Sequence, residues 1–436
     1  MQHHLFLRFS FILFALLGCL GKLFSQAPEE EFFSVMSFNV ENLFDTIPDA
    51  HHNDKEYLPQ SKKKWETRRY YRKLRQIAEA ISQTGGMSWP WLVALQEVEN
   101  AGTLQDLITQ KGIASACYHP LVSQGADARG IRVALLYAEG LFKPYDVREW
   151  CIPTPEGLPP HSSRPILAVS GSLLGRYPLT IFVLHLPSNF SGRKKSAPYR
   201  KEAFRLLHSK CDSISSADPS MPILVLGDFN STPQETIDEQ WIALYDRKGT
   251  TELRLLQKST VSQSCSQDCL DFAERMKRKA LRVRSEGSIS PYVTKDESRK
   301  QHSDSPLCNS LELGKMYDVS LDKAPESVAG SYYFHKVYTQ IDRILLSPHF
   351  FNHAEKSYIS YVTGSFSNCS LRGRMKKQNS GISTPLRTFG GDNYIGGTSD
   401  HLPIRVTLRL HPYKSCLLYT SPSPRDVEES RMPSSA

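Results

Sequence analysis

At 436 residues the chain is too long for a minimal domain and suits one large α/β domain or two small ones. Its hydrophobic content of 40% and charged content of 22% are ordinary for a globular protein and exclude a disordered or fibrous chain. The formal net charge of +8 leans towards anionic partners such as nucleic acid, a phospholipid surface or phosphate esters, although solubility alone accounts for it equally well.

The chain opens with a weakly basic start, an apolar run from Phe9 to Leu20 and small or polar residues ahead of an acidic stretch. This is the pattern of a secretory signal peptide over residues 1–27, with cleavage expected between Ser25 and Ala27. The run is too short to favour a spanning helix. Leu16-Leu17-Gly18-Cys19 loosely resembles a bacterial lipobox, but the Leu20-Gly21-Lys22-Leu23-Phe24 that follows looks like continuing leader rather than a polar tether. Export to the periplasm or the medium is therefore expected ahead of lipid anchoring on the outer membrane.

Apolar runs bounded by Gly, Pro, Ser or Asn then predict strands at Phe33–Val40, Trp91–Val98, Arg132–Tyr137, Ile166–Leu173, Leu179–Leu186, Ile223–Asp228, Ile341–Leu346 and Pro403–Leu410. Helices are predicted over Thr67–Gln83, with Leu74, Ile77, Ala78 and Ile81 on one face, and over Ala197–Ser213. In the first of these, the Arg68–Lys73 run mixes cations with Tyr70 and Tyr71. The favoured reading is that its tyrosines pack while its cations stay wet. Many strands interleaved with few helices imply two sheets packed face to face with helices outside. About residues 252–312 are polar and aperiodic, which suggests an insertion in a domain spanning 30–412. From Cys416 the chain back-translates readily into a sequencing-library adapter, so 416–436 are expected to be an assembly artefact. Seven cysteines remain outside the leader and the tail; the odd number leaves at least one unpaired, and Cys265-x3-Cys269 without a histidine is weak evidence for zinc.

The polar residues at the strand ends carry the chemistry. In "PILVLGDFNSTP" an apolar strand delivers Asp228 and Asn230 to its own tip, and if extended geometry persists through Phe229 both point into one space. Asn39, Glu41 and Asn42 follow one strand, and Glu97 and His185 end two more. Asp342 opens another, and Asp400-His401 precede the last. Any one of these residues is a common strand cap; the ordered set is hard to obtain by chance.

With "MSFNVENLFDT", "VALQEVEN", "RGIRVALLY", "HLPSNFSGRKKS", "LVLGDFNSTP", "GSYYFHKVYTQIDRILLS" and "GGDNYIGGTSDHLPIRVTL", the chain resembles the endonuclease/exonuclease/phosphatase superfamily, whose fold is that of pancreatic deoxyribonuclease. It is similar in particular to exported bacterial members. The resemblance covers about residues 33–410 and implies an α/β four-layer sandwich, two packed mixed β-sheets flanked by helices. It implies hydrolysis of phosphate esters with a hard divalent cation, magnesium foremost and manganese or calcium as alternatives. By resemblance Glu97 is the main metal ligand, with Asn39 beside it and Asp400 joining directly or through water. His401 is a general base or a phosphate-binding imidazolium oriented by Asp342. Asp228 and Asn230 align water and the scissile phosphate, and His185 stabilises the pentavalent state or the leaving group. Arg129 suits a phosphate contact or a surface ion pair equally. Ser188 and Asn189 suit substrate contact or a plain turn. Arg132 stands where family members usually carry an acidic or amide residue.

The resemblance thus implies an endonuclease acting on nucleic acid, with no obligate protein partner and a monomeric state expected. A phosphatase or a phospholipid, sphingomyelin or inositol-phosphate phosphodiesterase is the alternative on the same fold, kept open by the apolar Tyr332-Tyr333-Phe334. A non-catalytic surface binding module is the alternative of another class.

Overall fold

The computed structural model describes residues 30–86, 88–189, 192–236, 240–245, 314–351 and 357–411. The expected leader, the insertion, the adapter-like tail and Cys19, Cys265, Cys269, Cys308 and Cys416 lie outside the described residues. The described Cys117, Cys151, Cys211 and Cys369 are free thiols.

In chain order, β1 (Glu31–Leu43), helix α1 (Thr67–Gly85), β2 (Leu92–Val98), helix α2 (Ala101–Ile108), β3 (Tyr118–Val122), β4 (Arg132–Ala138), β5 (Phe142–Trp150), β6 (Ile166–Leu173) and β7 (Tyr177–His185) lead to helix α3 (Arg193–Ala217) and β8 (Ile223–Asp228). Shorter strands follow: β9 (Ile242–Leu244), β10 (Met316–Asp318), β11 (Tyr332–Phe334), β12 (Val337–Thr339), β13 (Asp342–Leu346), β14 (Ile359–Tyr361), β15 (Ser367–Asn368), β16 (Met375–Lys377), β17 (Ser383–Pro385), β18 (Phe389–Gly390), β19 (Asn393–Tyr394) and the longer β20 (Ile404–Leu410). One sheet runs β14-β20-β1-β2-β4-β3, with β15 also on β20; the other runs β5-β6-β7-β8-β13-β10-β9. Three two-stranded hairpins stand apart from them.

Alternation explains the layering. Val35, Ala94, Val133 and Val406 of the first sheet meet Val169, Ile181, Val183, Leu224, Leu226 and Ile344 of the second in a core between the sheets. The intervening residues Met36, Phe38, Val93 and Leu95 face Leu74, Ile77 and Ile81 of α1. Phe182, Leu184 and Val225 face Ala203, Phe204 and Leu207 of α3. Strands buried on both faces read as continuous apolar runs, which is why they were legible. The result is the expected four-layer α/β sandwich of two mixed sheets. Helix α3 extends four residues past each predicted end, because its terminal turns are polar and carry no apolar period.

One expectation about α1 is corrected. Tyr70 is buried, but Tyr71 is exposed, and Lys73 is not wet: it is fully buried, with its ammonium donating to the Glu41 carbonyl and, at 2.7 Å, to Thr388 Oγ1. Positions 70, 73, 74, 77 and 81 share one helical face, so Lys73 sits in the apolar stripe and needs buried acceptors.

Candidate active site

Strand register assembles half of the site. Parallel pairing of β7 with β8 sets His185 beside Asp228, and antiparallel pairing of β8 with β13 sets Asp228 beside Asp342. Close approach of β7 and β8 requires Gly227: its φ is +151°, and a Cβ there would lie 2.0 Å from the Leu184 carbonyl oxygen. His185 Nε2 stands 3.5 Å from Asp228 Oδ2.

The first sheet supplies the rest. Asn39 pairs with Gln96 across parallel β1 and β2. A register shift between Gln96 and Val98, with Glu97 at φ +64°, turns the Glu97 side chain out of the strand alternation. Its Oε2 accepts the Asn42 amide at 2.8 Å, and its Oε1 lies 3.3 Å from Asn39 Nδ2 and 3.9 Å from His185 Nε2. The Asn39 amide also donates to Asp228 Oδ2 at 3.0 Å and so joins the two sheets. Just before β20, Ser399 donates to the Asn39 carbonyl (2.7 Å) and accepts the His401 backbone amide (3.0 Å). His401 Nδ1 then meets Asp342 Oδ2 at 2.8 Å, and its Nε2 lies 3.9 Å from Asp228 Oδ2. Six residues from distant segments therefore meet in one cluster: Asn39, Glu97, His185, Asp228, Asp342 and His401.

Burial sharpens their charges. Burial and then the neighbouring Asp342 carboxylate push Asp228 up to about 7. Burial alone would lower His401, but Asp342, Asp228 and Asp400 outweigh it and hold the imidazolium well above its ordinary range. His185 goes the other way: burial, Arg164, Arg129 and His401 keep it neutral. Its Nδ1 is buried without a partner among the described residues. Two carboxylates face Nε2, so the proton belongs there, where a lone pair would be repelled.

The Endonuclease/Exonuclease/phosphatase family profile matches residues 34–257 and 307–410, which span the whole cluster. The chain belongs to the endonuclease/exonuclease/phosphatase family. It is accordingly a hydrolase of phosphate esters. No curated protein matches it. Among solved structures, truncated TDP2 of Caenorhabditis elegans is 13% identical, over 87% of this chain and 98% of that one, with a TM-score of 0.43. An endonuclease/exonuclease/phosphatase family protein of Bacteroides thetaiotaomicron is 12% identical over 88% and 99%, with a TM-score of 0.45. A mannosyl-6-phosphatase of Bacteroides thetaiotaomicron is 13% identical over 86% and 99%, with a TM-score of 0.44.

This family hydrolase has a donor set that suits a hard divalent cation. Asp228, Asp342 and His401 offer ligand atoms within 4.8 Å of one another, but Asp342 and His401 engage each other. The oxygens left over are Glu97 Oε1 and Asp228 Oδ2, which converge on the same amide nitrogen, and Asp342 Oδ1, which is buried without a partner among the described residues. Crowded carboxylates with an orphan oxygen call for positive charge, and oxygen is what such ions bind. Asn39 lies beside Glu97 as expected, but the atom it presents is the amide nitrogen. Its Oδ1 accepts the Glu41 backbone amide at 3.0 Å.

The outer residues separate into groups. Asp400 stands one step from the cluster, paired with Arg387 at 2.9 Å. Of the two readings of Arg129, the ion pair is present: it pairs with Asp127 (3.1 Å), and it also donates to Oδ1 of Asn42 (2.9 Å), whose backbone amide is Glu97's partner. Asn189 braces the loop after β8, donating to the Asn230 carbonyl at 2.9 Å, and Ser188 is exposed. Arg132 donates to the Glu99 and Gly130 carbonyls. Extended geometry does not persist through Asn230: β8 ends at Asp228, and Asn230 adopts φ +49°. Its backbone amide donates to Asp228 Oδ1 (2.9 Å) and its side chain to the Leu186 carbonyl (3.0 Å), so Asn230 fixes Asp228. Beneath them, fully buried Arg343 pairs with Asp318 at 2.6 Å and lies 4.7 Å over the Phe229 ring, which anchors the turn.

Sequence reasoning missed three cations. Lys73 had a signal in its helical phase. Arg164, buried against Asp127 (3.2 Å) and the Leu186 carbonyl, and Arg387, linking Asp400 to Glu41 (3.6 Å), carry no motif. Glu41, at φ +52°, accepts the Thr388 amide at 2.6 Å and is pushed up to about 7 by burial and Asp400.

Proposed function

We propose that the chain is an exported, divalent-metal-dependent phosphodiesterase that hydrolyses nucleic acid by in-line attack of water. The convergence of the six residues in one cluster carries this reading. Glu97 and Asp228, with Asn39 between them, would hold magnesium, manganese or calcium; the cation neutralises charge on the phosphoryl and leaving oxygens. Asp228, a stronger base than an ordinary carboxylate because burial and Asp342 push its pKa up to about 7, takes a proton from the attacking water. His401, kept protonated by Asp342, binds a phosphoryl oxygen as an imidazolium, and neutral His185 donates from Nε2 to the charge that builds in the transition state. Arg129, anchored by Asp127, steers the anionic backbone. The domain runs from about residue 30 to 412 with an insertion near 252–312, and the leader directs it out of the cytoplasm.

A phospholipid phosphodiesterase is the second reading, favoured by one observation: Phe334 and Val337, at the tip of one hairpin, are 54% and 59% exposed.

The test is a substrate panel with the purified protein. Single-stranded and duplex DNA, RNA, a phosphomonoester and a phospholipid are each offered with magnesium, manganese, calcium or chelator. Cation-dependent cleavage of nucleic acid, lost in Glu97→Ala and His401→Ala, is expected. Absence of any cation-dependent hydrolysis would hand the site to the binding-module reading. N-terminal mass mapping of protein recovered from the cell exterior tests the export.

A further inference from the structure

Two hairpins flank the cluster on its Asp400 side. One is β11–β12, the other β16–β17, and the Tyr338 hydroxyl ties them by donating to the Ser383 carbonyl at 2.6 Å. Between them lies a cleft of about 170 Å³ whose lining includes Tyr332, Phe334, Lys376, Gln378, Arg387 and Asp400. It leads to the catalytic pair, because the Tyr332 ring sits 4.6 Å from the His401 ring. Tyr332 and Phe334 stack at 6.0 Å and 21°, and more than half of Phe334 remains exposed. Lys376 is exposed and makes no ion pair among the described residues.

The occupant must match aromatic faces on one wall and cations and amides on the other. A lipid chain would desolvate the Lys376 ammonium, which makes no ion pair among the described residues, and would bury the Asp400–Arg387 pair away from water. The volume is below the roughly 300 Å³ at which pockets begin to enclose drug-sized ligands, so it suits a single ring system. A nucleobase has a stacking face, a polar edge and an attached phosphate. We infer that this cleft binds the unpaired base next to the scissile phosphate, making the substrate single-stranded nucleic acid or a frayed end. This rests on the nuclease reading above. A base paired within a duplex keeps its faces stacked on its neighbours and cannot enter.

The experiment compares two short single-stranded oligonucleotides, one complete and one with abasic residues flanking the cleaved bond. Each is offered to the wild type, Phe334→Ala and Lys376→Ala. The wild type is expected to cleave the complete strand roughly 5- to 150-fold faster than the abasic one, the worth of one stacked base. Phe334→Ala should erase that ratio by slowing only the complete strand. Lys376→Ala should reduce the slope of log affinity against log salt by about 0.7, the single-strand value for one phosphate contact. Fluorescence anisotropy in chelator, where turnover stops, should show the same preference in binding. Equal handling of both strands by the wild type, or equal slowing of both by Phe334→Ala, overturns the inference while leaving the hydrolase intact. Vesicle binding abolished by Phe334→Ala also overturns it and assigns the hairpin tip to lipid. If only phosphomonoesters are hydrolysed, the nuclease reading falls; anisotropy then still judges the cleft, and no preference for the complete strand overturns it.

Discussion

Asp342 opens β13 of one sheet and His401 lies just ahead of β20 of the other, yet they are joined by a 2.8 Å hydrogen bond. The bond fixes the histidine ring and supplies the charge that keeps it protonated despite full burial. Asp342→Asn keeps the shape and removes that charge. If His401 works as an imidazolium, the alkaline limb of the rate profile moves to lower pH in the variant. If it works as a base, the acid limb moves down instead. Either way kcat should fall about 10²- to 10⁴-fold. A full pH profile of kcat at saturating magnesium distinguishes the two, and an unchanged profile would remove His401 from the chemistry.

Glu97 is held in a left-handed conformation by the Asn42 amide. Glu97→Gln preserves that hydrogen bond and halves the carboxylate charge facing the cation. The magnesium concentration for half-maximal activity should rise at least about 10-fold, with little change in melting temperature. A titration of activity against magnesium checks it.

Buried carboxyls make the cation-free protein sensitive to pH. Burial raises Asp228 and Glu41 to about 7 and Glu99 to about 8. A carboxyl whose folded pKa is raised contributes stability below its unfolded pKa that is lost as pH climbs through the folded one. The raised pKa of His401 acts in the same direction. His185, with a lowered value, opposes this only below about 6.5, its unfolded value, and Lys73, lowered to about 8, opposes it only above that pH. Melting temperature in chelator should therefore fall between pH 6.5 and 8. Magnesium should restore the part due to Asp228, and Glu99→Gln should flatten the slope. Scanning calorimetry across this window reads the effect.

Lys73 is the buried counter-charge behind Glu41. Lys73→Met leaves the Glu41 carboxylate and carbonyl and Thr388 without their cation. A loss of about 1–3 kcal/mol is expected, the usual cost of leaving buried acceptors unsatisfied. Adding Glu41→Gln should recover part of it, because the uncompensated charge is then gone. Urea titration of the single and double variants measures the difference; equal stabilities would contradict the charge interaction between Lys73 and Glu41.

Much of this protein was legible in local pattern. Apolar runs such as Ile166–Leu173 and Ile223–Asp228 match their strands to the residue, because strands buried on both faces leave an unbroken apolar signature. The strand ends marked the chemistry as well: His185 and Asp228 are the polar residues that close the apolar strands β7 and β8. The backbone turns that aim the side chains were not legible. Glu97 sits in a bulge that its residue type does not announce, and Asn230 sits in a left-handed turn that asparagine tolerates but does not by itself specify. Pairing across the sandwich was not legible either. Asn39 to Asp228, Asp342 to His401, Arg387 to Asp400 and Lys73 to Thr388 join residues whose separation along the chain carries no periodic signal. Hydrophobic alternation is written residue by residue, so the chain alone set the layers and the polar tips. The partners of buried charges were decided only when two sheets closed over them, because only burial makes an unpaired charge costly enough to select one neighbour.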